Sequence, residues 1–102
     1  MRNLPHPTRS QLHLESLLHS LSDPTRLAIV RCLHAEGELS CSAFHGLGNV
    51  SLPTLSHHLR VLREAGVTRT RIEGRQRFVS LRTDDLGARF PDVLDTILRV
   101  RS

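Results

Sequence analysis

Ser51-Leu52-Pro53-Thr54-Leu55-Ser56-His57-His58-Leu59-Arg60-Val61-Leu62-Arg63-Glu64-Ala65-Gly66 is the stretch on which the fold turns. Ser51 has the chemistry of a helix N-cap, and Pro53 falls in the first turn, where a missing N–H costs little. Leu55, Leu59 and Leu62 follow at helical spacing and form one apolar stripe, flanked by Leu52 and Val61. Gly66 supplies the left-handed residue that commonly ends a helix. Removing the stripe leaves Thr54, Ser56, His57, His58, Arg60 and Arg63 as the polar positions. The segment is therefore a helix with an apolar underside and a surface of hydroxyl, imidazole and guanidinium groups.

Outward from this helix the period of the sequence changes. From Val67 to Ile72 polar and apolar residues alternate, Glu73-Gly74-Arg75 is turn chemistry, and Gln76 to Leu81 alternates again, which predicts a β-hairpin. Upstream, Cys41, Phe44 and His45 follow Ser40 as a short helix, stopped by Gly46 and Gly48. Before it, Asp23 caps and Pro24 opens a helix through Leu27, Ile29, Val30 and Leu33 to Gly37. Leu14, Leu17, Leu18 and Leu21 form one face of a first helix. After the hairpin, Thr83-Asp84-Asp85 caps one turn, and Pro91 opens a last helix with Val93, Leu94, Ile97 and Leu98 apolar. The expected fold is mainly α, about five helices with a two-stranded wing: a winged helix-turn-helix. Residues 1–10, with Pro5, Pro7 and no periodicity, are expected to be a mobile arm before a single domain over 11–102.

The charge is uneven. The chain of 102 residues carries 14 basic and 10 acidic side chains, and every basic one is arginine. Arg60, Arg63, Arg69, Arg71, Arg75, Arg77 and Arg82 face only Glu64 and Glu73 within that segment, so the positive excess sits on the helix and hairpin. Such a block is the footprint expected for a phosphate backbone. A helix fits the major groove of double-stranded DNA, and Thr54, Ser56 and His57 occupy the half that usually points into it. Ser51 and the helix-start N–H groups are candidates for holding a phosphate. Arg60, Arg71, Arg75 and Arg77 are the other candidate phosphate contacts, the last three reaching from the hairpin.

Leu21-Ser22-Asp23-Pro24-Thr25-Arg26-Leu27, the Ser56-His57-His58-Leu59-Arg60 to Gly66 run and Glu73-Gly74-Arg75 before a strand together resemble the ArsR family of winged-helix transcriptional repressors. The likeness runs from about Leu17 to Leu98. It implies a homodimer through the first and last helices, and binding to an operator that an effector weakens. It also implies DNA contact by Ser56, His57 and Arg60. The metal sites of such repressors are not evident. An arsenic-type site would place Cys-x-Cys after Glu-Leu, but Glu38-Leu39-Ser40-Cys41-Ser42 has serine at both positions. A zinc-type site on the last helix would need histidines, and residues 84–99 contain none.

No cofactor is expected. Cys41 and His45, with Cys32, are the remaining candidates for a metal ion, since an i, i+4 pair on an α-helix shares a face. Cys32 and Cys41 are also candidates for a thiol sensor, or for two buried side chains without chemistry. Three further readings follow from composition. No apolar run is long enough to span a membrane, so no membrane partner is expected. Met1 to Ser10 lack the apolar core of a secretory signal, and two cysteines suit a reducing cytoplasm. No nucleophile, base and acid converge, and His57 and His58 point about 100° apart on a helix, which argues against an enzyme. The alternative function is a winged-helix protein-interaction module without DNA binding, which has no need of the arginine block.

Overall fold

The computed structural model describes residues 4–100. Five α-helices surround one small sheet: α1 (Leu14–Ser20), α2 (Pro24–Glu36), α3 (Leu52–Glu64), α4 (Thr83–Arg89) and α5 (Val93–Arg99). The strands are β1 (Leu39–Ser40), β2 (Thr68–Glu73) and β3 (Gln76–Leu81), antiparallel in the order β1-β3-β2. This is the expected winged helix-turn-helix, with one strand more than the hairpin. β1 is two residues long, pairing Leu39 with Val79 and Ser40 with Phe78. Two residues are too few for an alternation to show in sequence.

The caps fall where the side chains allow. Asp23 accepts from the Arg26 backbone N–H at 3.0 Å, and Ser51 from that of Thr54 at 3.3 Å. Leu17, Ile29, Val30, Leu33, Phe44, Leu55, Leu62, Val67, Val79 and Leu86 form the centre of the core. Two expectations for helices change. Cys41–Phe44 is a single 3-10 turn, because the chain is still extended at Ser40 and turns extended again at His45. The apolar face of α1 also divides: Leu17 and Leu21 are buried, whereas Leu14 and Leu18 remain 42% and 47% exposed.

The N-terminal segment, expected to be a mobile arm, makes contacts with the rest of the domain over its described residues. β2 is an edge strand, and the His6 ring accepts the Thr70 backbone N–H through Nε2 at 3.0 Å. The neutral ring is the form that accepts, and burial holds this imidazole below its ordinary pKa. Arg82, itself buried, donates to the Pro7 carbonyl at 2.7 Å and pairs with Asp85 at 2.9 Å. Asp85 also receives Arg9 at 2.8 Å and Arg69 at 3.3 Å. The segment lacks any periodicity because it is held by single polar contacts and not by a face. Residues 1–3 lie outside the described part.

Leu12 closes this segment against the end of α3. Gly66 has φ +81°, and a Cβ there would stand 2.0 Å from Leu12 Cδ2 and 3.3 Å from Pro7 Cγ. Gly74, at the hairpin tip, also has positive φ (+61°) but nothing within 4 Å. Gly74→Ala is therefore expected to lose only the backbone preference, about 1–2 kcal/mol. Gly66→Ala adds the clash and is expected to lose about 2–4 kcal/mol. Thermal unfolding of the two variants checks this; equal losses would show that the Leu12 contact is not tight.

Candidate nucleic-acid interface

α3 presents two distinct surfaces. Leu55, His58 and Leu62 are buried, while Ser51, Thr54, Ser56, His57 and Arg60 are exposed. Thirteen residues make a rod about 20 Å long, enough to lie along a major groove. The exposed candidates are thus brought onto one side of one element. His58 is not among them, and neither is most of Arg63. His58 is only 9% exposed and sits against Arg26, with His58 Nδ1 3.1 Å from Arg26 Nη1. Arg63 is half-buried, and its Nε is buried without a partner among the described residues.

The start of α3 is a weaker anion cradle than its sequence suggests. Pro53 has no N–H, the Thr54 N–H is taken by Ser51 Oγ, and the Leu55 N–H by the Ser51 carbonyl at 2.9 Å. That leaves the Leu52 N–H for a phosphate in the first turn. Ser51 and Thr54 also join side chain to side chain at 3.0 Å, which orients both hydroxyls at the exposed end. One turn on, Arg60 Nη2 lies 3.4 Å from His57 Nδ1.

The arginine block separates into used and unused charge. Arg82 and Arg69 share Asp85. Arg71 is clamped by Glu38 at 2.8 and 3.0 Å and by Glu73 at 2.7 Å, and stacks over the Phe78 ring at 4.5 Å. The Arg71 guanidinium beside Glu38 holds that carboxyl below its usual range, and the carboxylates push the guanidinium up. Among the described residues Arg60, Arg75 and Arg77 form no ion pair with a carboxylate. All three are exposed, one on α3 and two at the hairpin end.

Cys32 and Cys41 are free and partly buried. His45 follows the 3-10 turn in extended backbone, so Cys41 and His45 lack the shared face that an α-helix would give them. Among the described residues no group of three or more His, Cys, Asp or Glu side chains is arranged to hold a metal ion. Burial pushes the Cys41 thiol up, against the opposing influence of Arg77. No described helix is long and apolar enough to cross a membrane.

This geometry defines a winged-helix DNA-binding protein, and comparison with known proteins agrees. Residues 21–71 match the model of a helix-turn-helix domain. An uncharacterised HTH-type transcriptional regulator of Bacillus subtilis, YceK, is 43% identical over 82 residues, 79% of this chain and 82% of that protein. The biofilm growth-associated repressor of Xylella fastidiosa is 37% identical over 99 residues, covering 92% of this chain and 85% of the repressor. The structure of an ArsR-like transcriptional regulator from a Rhodococcus species aligns with a TM-score of 0.65 at 26% identity, over 82% of this chain and 77% of that one. The chain belongs to the ArsR family of winged helix-turn-helix transcriptional repressors. It is a DNA-binding regulator of transcription and not an enzyme.

The clamp on Arg71 sets up a comparison between two neighbouring wing residues. Arg77→Ala is expected to lower the salt slope of duplex binding by about one unit, as for one lost phosphate contact. Arg71→Ala is expected to leave that slope nearly unchanged, because its charge is already neutralised. Titrations of a DNA duplex at two or more salt concentrations measure both; equal slopes for the two variants would mean that Arg71 leaves its carboxylates on binding.

Proposed function

We propose that the protein works as a homodimer in the cytoplasm. It binds a two-fold-related operator through two copies of α3 and the wing, and an effector releases it. Arg60, Arg75 and Arg77 meet phosphates and set the affinity, with Arg71 in reserve behind its carboxylates. Thr54, Ser56 and His57 meet base edges and set the preference among sequences, and Ser51 orients the start of the helix. The observation that carries this reading is the partition of charge within the arginine block: Arg69, Arg71 and Arg82 are paired with carboxylates, whereas Arg60, Arg75 and Arg77 have no carboxylate partner among the described residues and are exposed on the helix and wing.

The dimer reading is supported by the ridge of Leu14 and Leu18, one turn apart on α1. Two large apolar side chains left open beside each other are the kind of surface that a partner covers. The last helix contributes less than its sequence suggests. Leu94 is buried and Val93, Ile97 and Leu98 are half-buried against the domain's own core. A replacement of both Leu14 and Leu18 by glutamate is expected to give a monomeric mass in light scattering at micromolar concentration while the helical signal in circular dichroism persists. A dimer that survives this change would move the interface elsewhere.

The DNA reading is tested by the Arg60→Ala/Arg75→Ala double variant. Its affinity for all duplexes is expected to fall, and its salt slope by about two units. Ser56→Ala and His57→Ala are expected instead to erode preference among sequences, by about 1–3 kcal/mol per base contact, with little change in salt slope. Gel-shift titration separates the two classes. Wild-type affinity in the double variant would remove the proposed contact surface.

A further inference from the structure

Beneath the exposed face of α3 lies a polar contact that DNA contact does not use. Arg26, at the third position of α2, is only 9% exposed. Its Nε donates to the Ser20 carbonyl at 2.7 Å, and Nη2 approaches the His19 carbonyl at 3.5 Å. These are the last two residues of α1, whose end carries outward-facing carbonyls and the negative end of the helix dipole. The remaining arm, Nη1, reaches His58 Nδ1 on α3 at 3.1 Å. One side chain thus joins the end of α1, the start of α2 and the underside of the helix that presents Ser56 and His57.

The chemistry of the contact fixes the state of the imidazole. A guanidinium has only donors, so Nδ1 of His58 must offer its lone pair. The ring proton then belongs on Nε2, which faces Asp23 Oδ2 at 3.9 Å. Asp23 is in turn held by the Arg26 backbone N–H. The neighbouring polar contacts therefore favour one tautomer and one orientation of the ring.

Leu55 and Leu62 hold α3 by contacts without direction, and such contacts tolerate a small roll of the helix. With side-chain tips about 5–6 Å from the axis, a roll of 15° moves each by about 1.5 Å. Hydrogen bonds to base edges keep their strength only within a few tenths of an ångström. The contact from Arg26 is directional and lies in the same turn as the outward-facing Ser56 and His57. We propose that Arg26 and His58 are a positioning pair: they set the roll of α3, and so the register of its outward side chains, relative to α1. The inference rests on the reading of α3 as the helix that meets base edges.

The test uses the full-length protein and a duplex enriched by the wild type from a randomised pool, compared with a random-sequence duplex of equal length. His58→Phe keeps a flat ring and removes the acceptor; His58→Asn restores an acceptor close to the Nδ1 position. His58→Phe is expected to lower the ratio of the two affinities about tenfold, within the range of one base contact. Binding to the random duplex should stay within about twofold, since its phosphate contacts are untouched. His58→Asn is expected to recover most of the ratio. A wild-type ratio in His58→Phe would overturn the positioning role even if its melting temperature falls, because a merely structural residue would do that. If His58→Phe does not fold, the wild type decides: nitrogen chemical shifts should report an Nε2–H imidazole at His58, and an Nδ1–H ring would overturn the pair. Failure of the wild type to enrich any sequence would instead overturn base reading by α3, and this inference with it.

Discussion

A helix that reads DNA must be held firmly from one side and left bare on the other. Here that demand falls on α3. Its buried residues Leu55, His58 and Leu62 are few. The socket is assembled from α2, β2 and the N-terminal segment. A domain of about 100 residues has little core to spare for such a socket. Two buried polar contacts and one close glycine contact accordingly take over work that a thicker core would do by apolar packing.

Charge is arranged by the same economy. Of the seven arginines between residues 60 and 82, Arg69, Arg71 and Arg82 are spent on Glu38, Glu73 and Asp85. Those pairs tie the wing to the turn after α2 and to α4. The exposed pairs of Arg69 and Arg71 add little stability singly, whereas Arg82–Asp85 is buried. The arginines left over are those whose positions, on α3 and at the tip of the hairpin, leave no carboxylate beside them. The net positive excess seen in sequence is thus an upper figure for the charge that faces a phosphate.

The helices α1, α2 and α3, the hairpin and their caps are legible in sequence because each is written in periodicity and in residues such as Asp23, Pro24, Ser51 and Gly66. What escapes is written in neither. β1 is too short to alternate, and the turn at Cys41 resembles a helix only because four residues cannot distinguish 3.6 from 3.0 per turn. His58 reads as an outward polar residue because the apolar stripe defines the buried face, and a buried imidazole breaks that rule. The signal that would have found it is the Leu55–Leu62 spacing: position 58 lies three residues after 55 and four before 62, in the middle of the stripe. Arg71 reads as a phosphate contact because its partner Glu38 is 33 residues away, outside any local window.

The N-terminal part of the chain touches α3 at two points. Arg26 reaches the inward face at its midpoint, His58, and Leu12 with Pro7 closes on Gly66 just after its end. Between these two points lies α1, which carries the exposed Leu14 and Leu18. The N-terminal segment also covers the outer edge of β2 at Thr70, so the same residues that brace the helix protect a strand that would otherwise offer unpaired backbone groups. Because His6 accepts there only when neutral, its low basicity and its placement beside Arg63, Arg69 and Arg82 reinforce each other. The segment that lacks periodicity thus touches both the end of α3 and the edge of the wing.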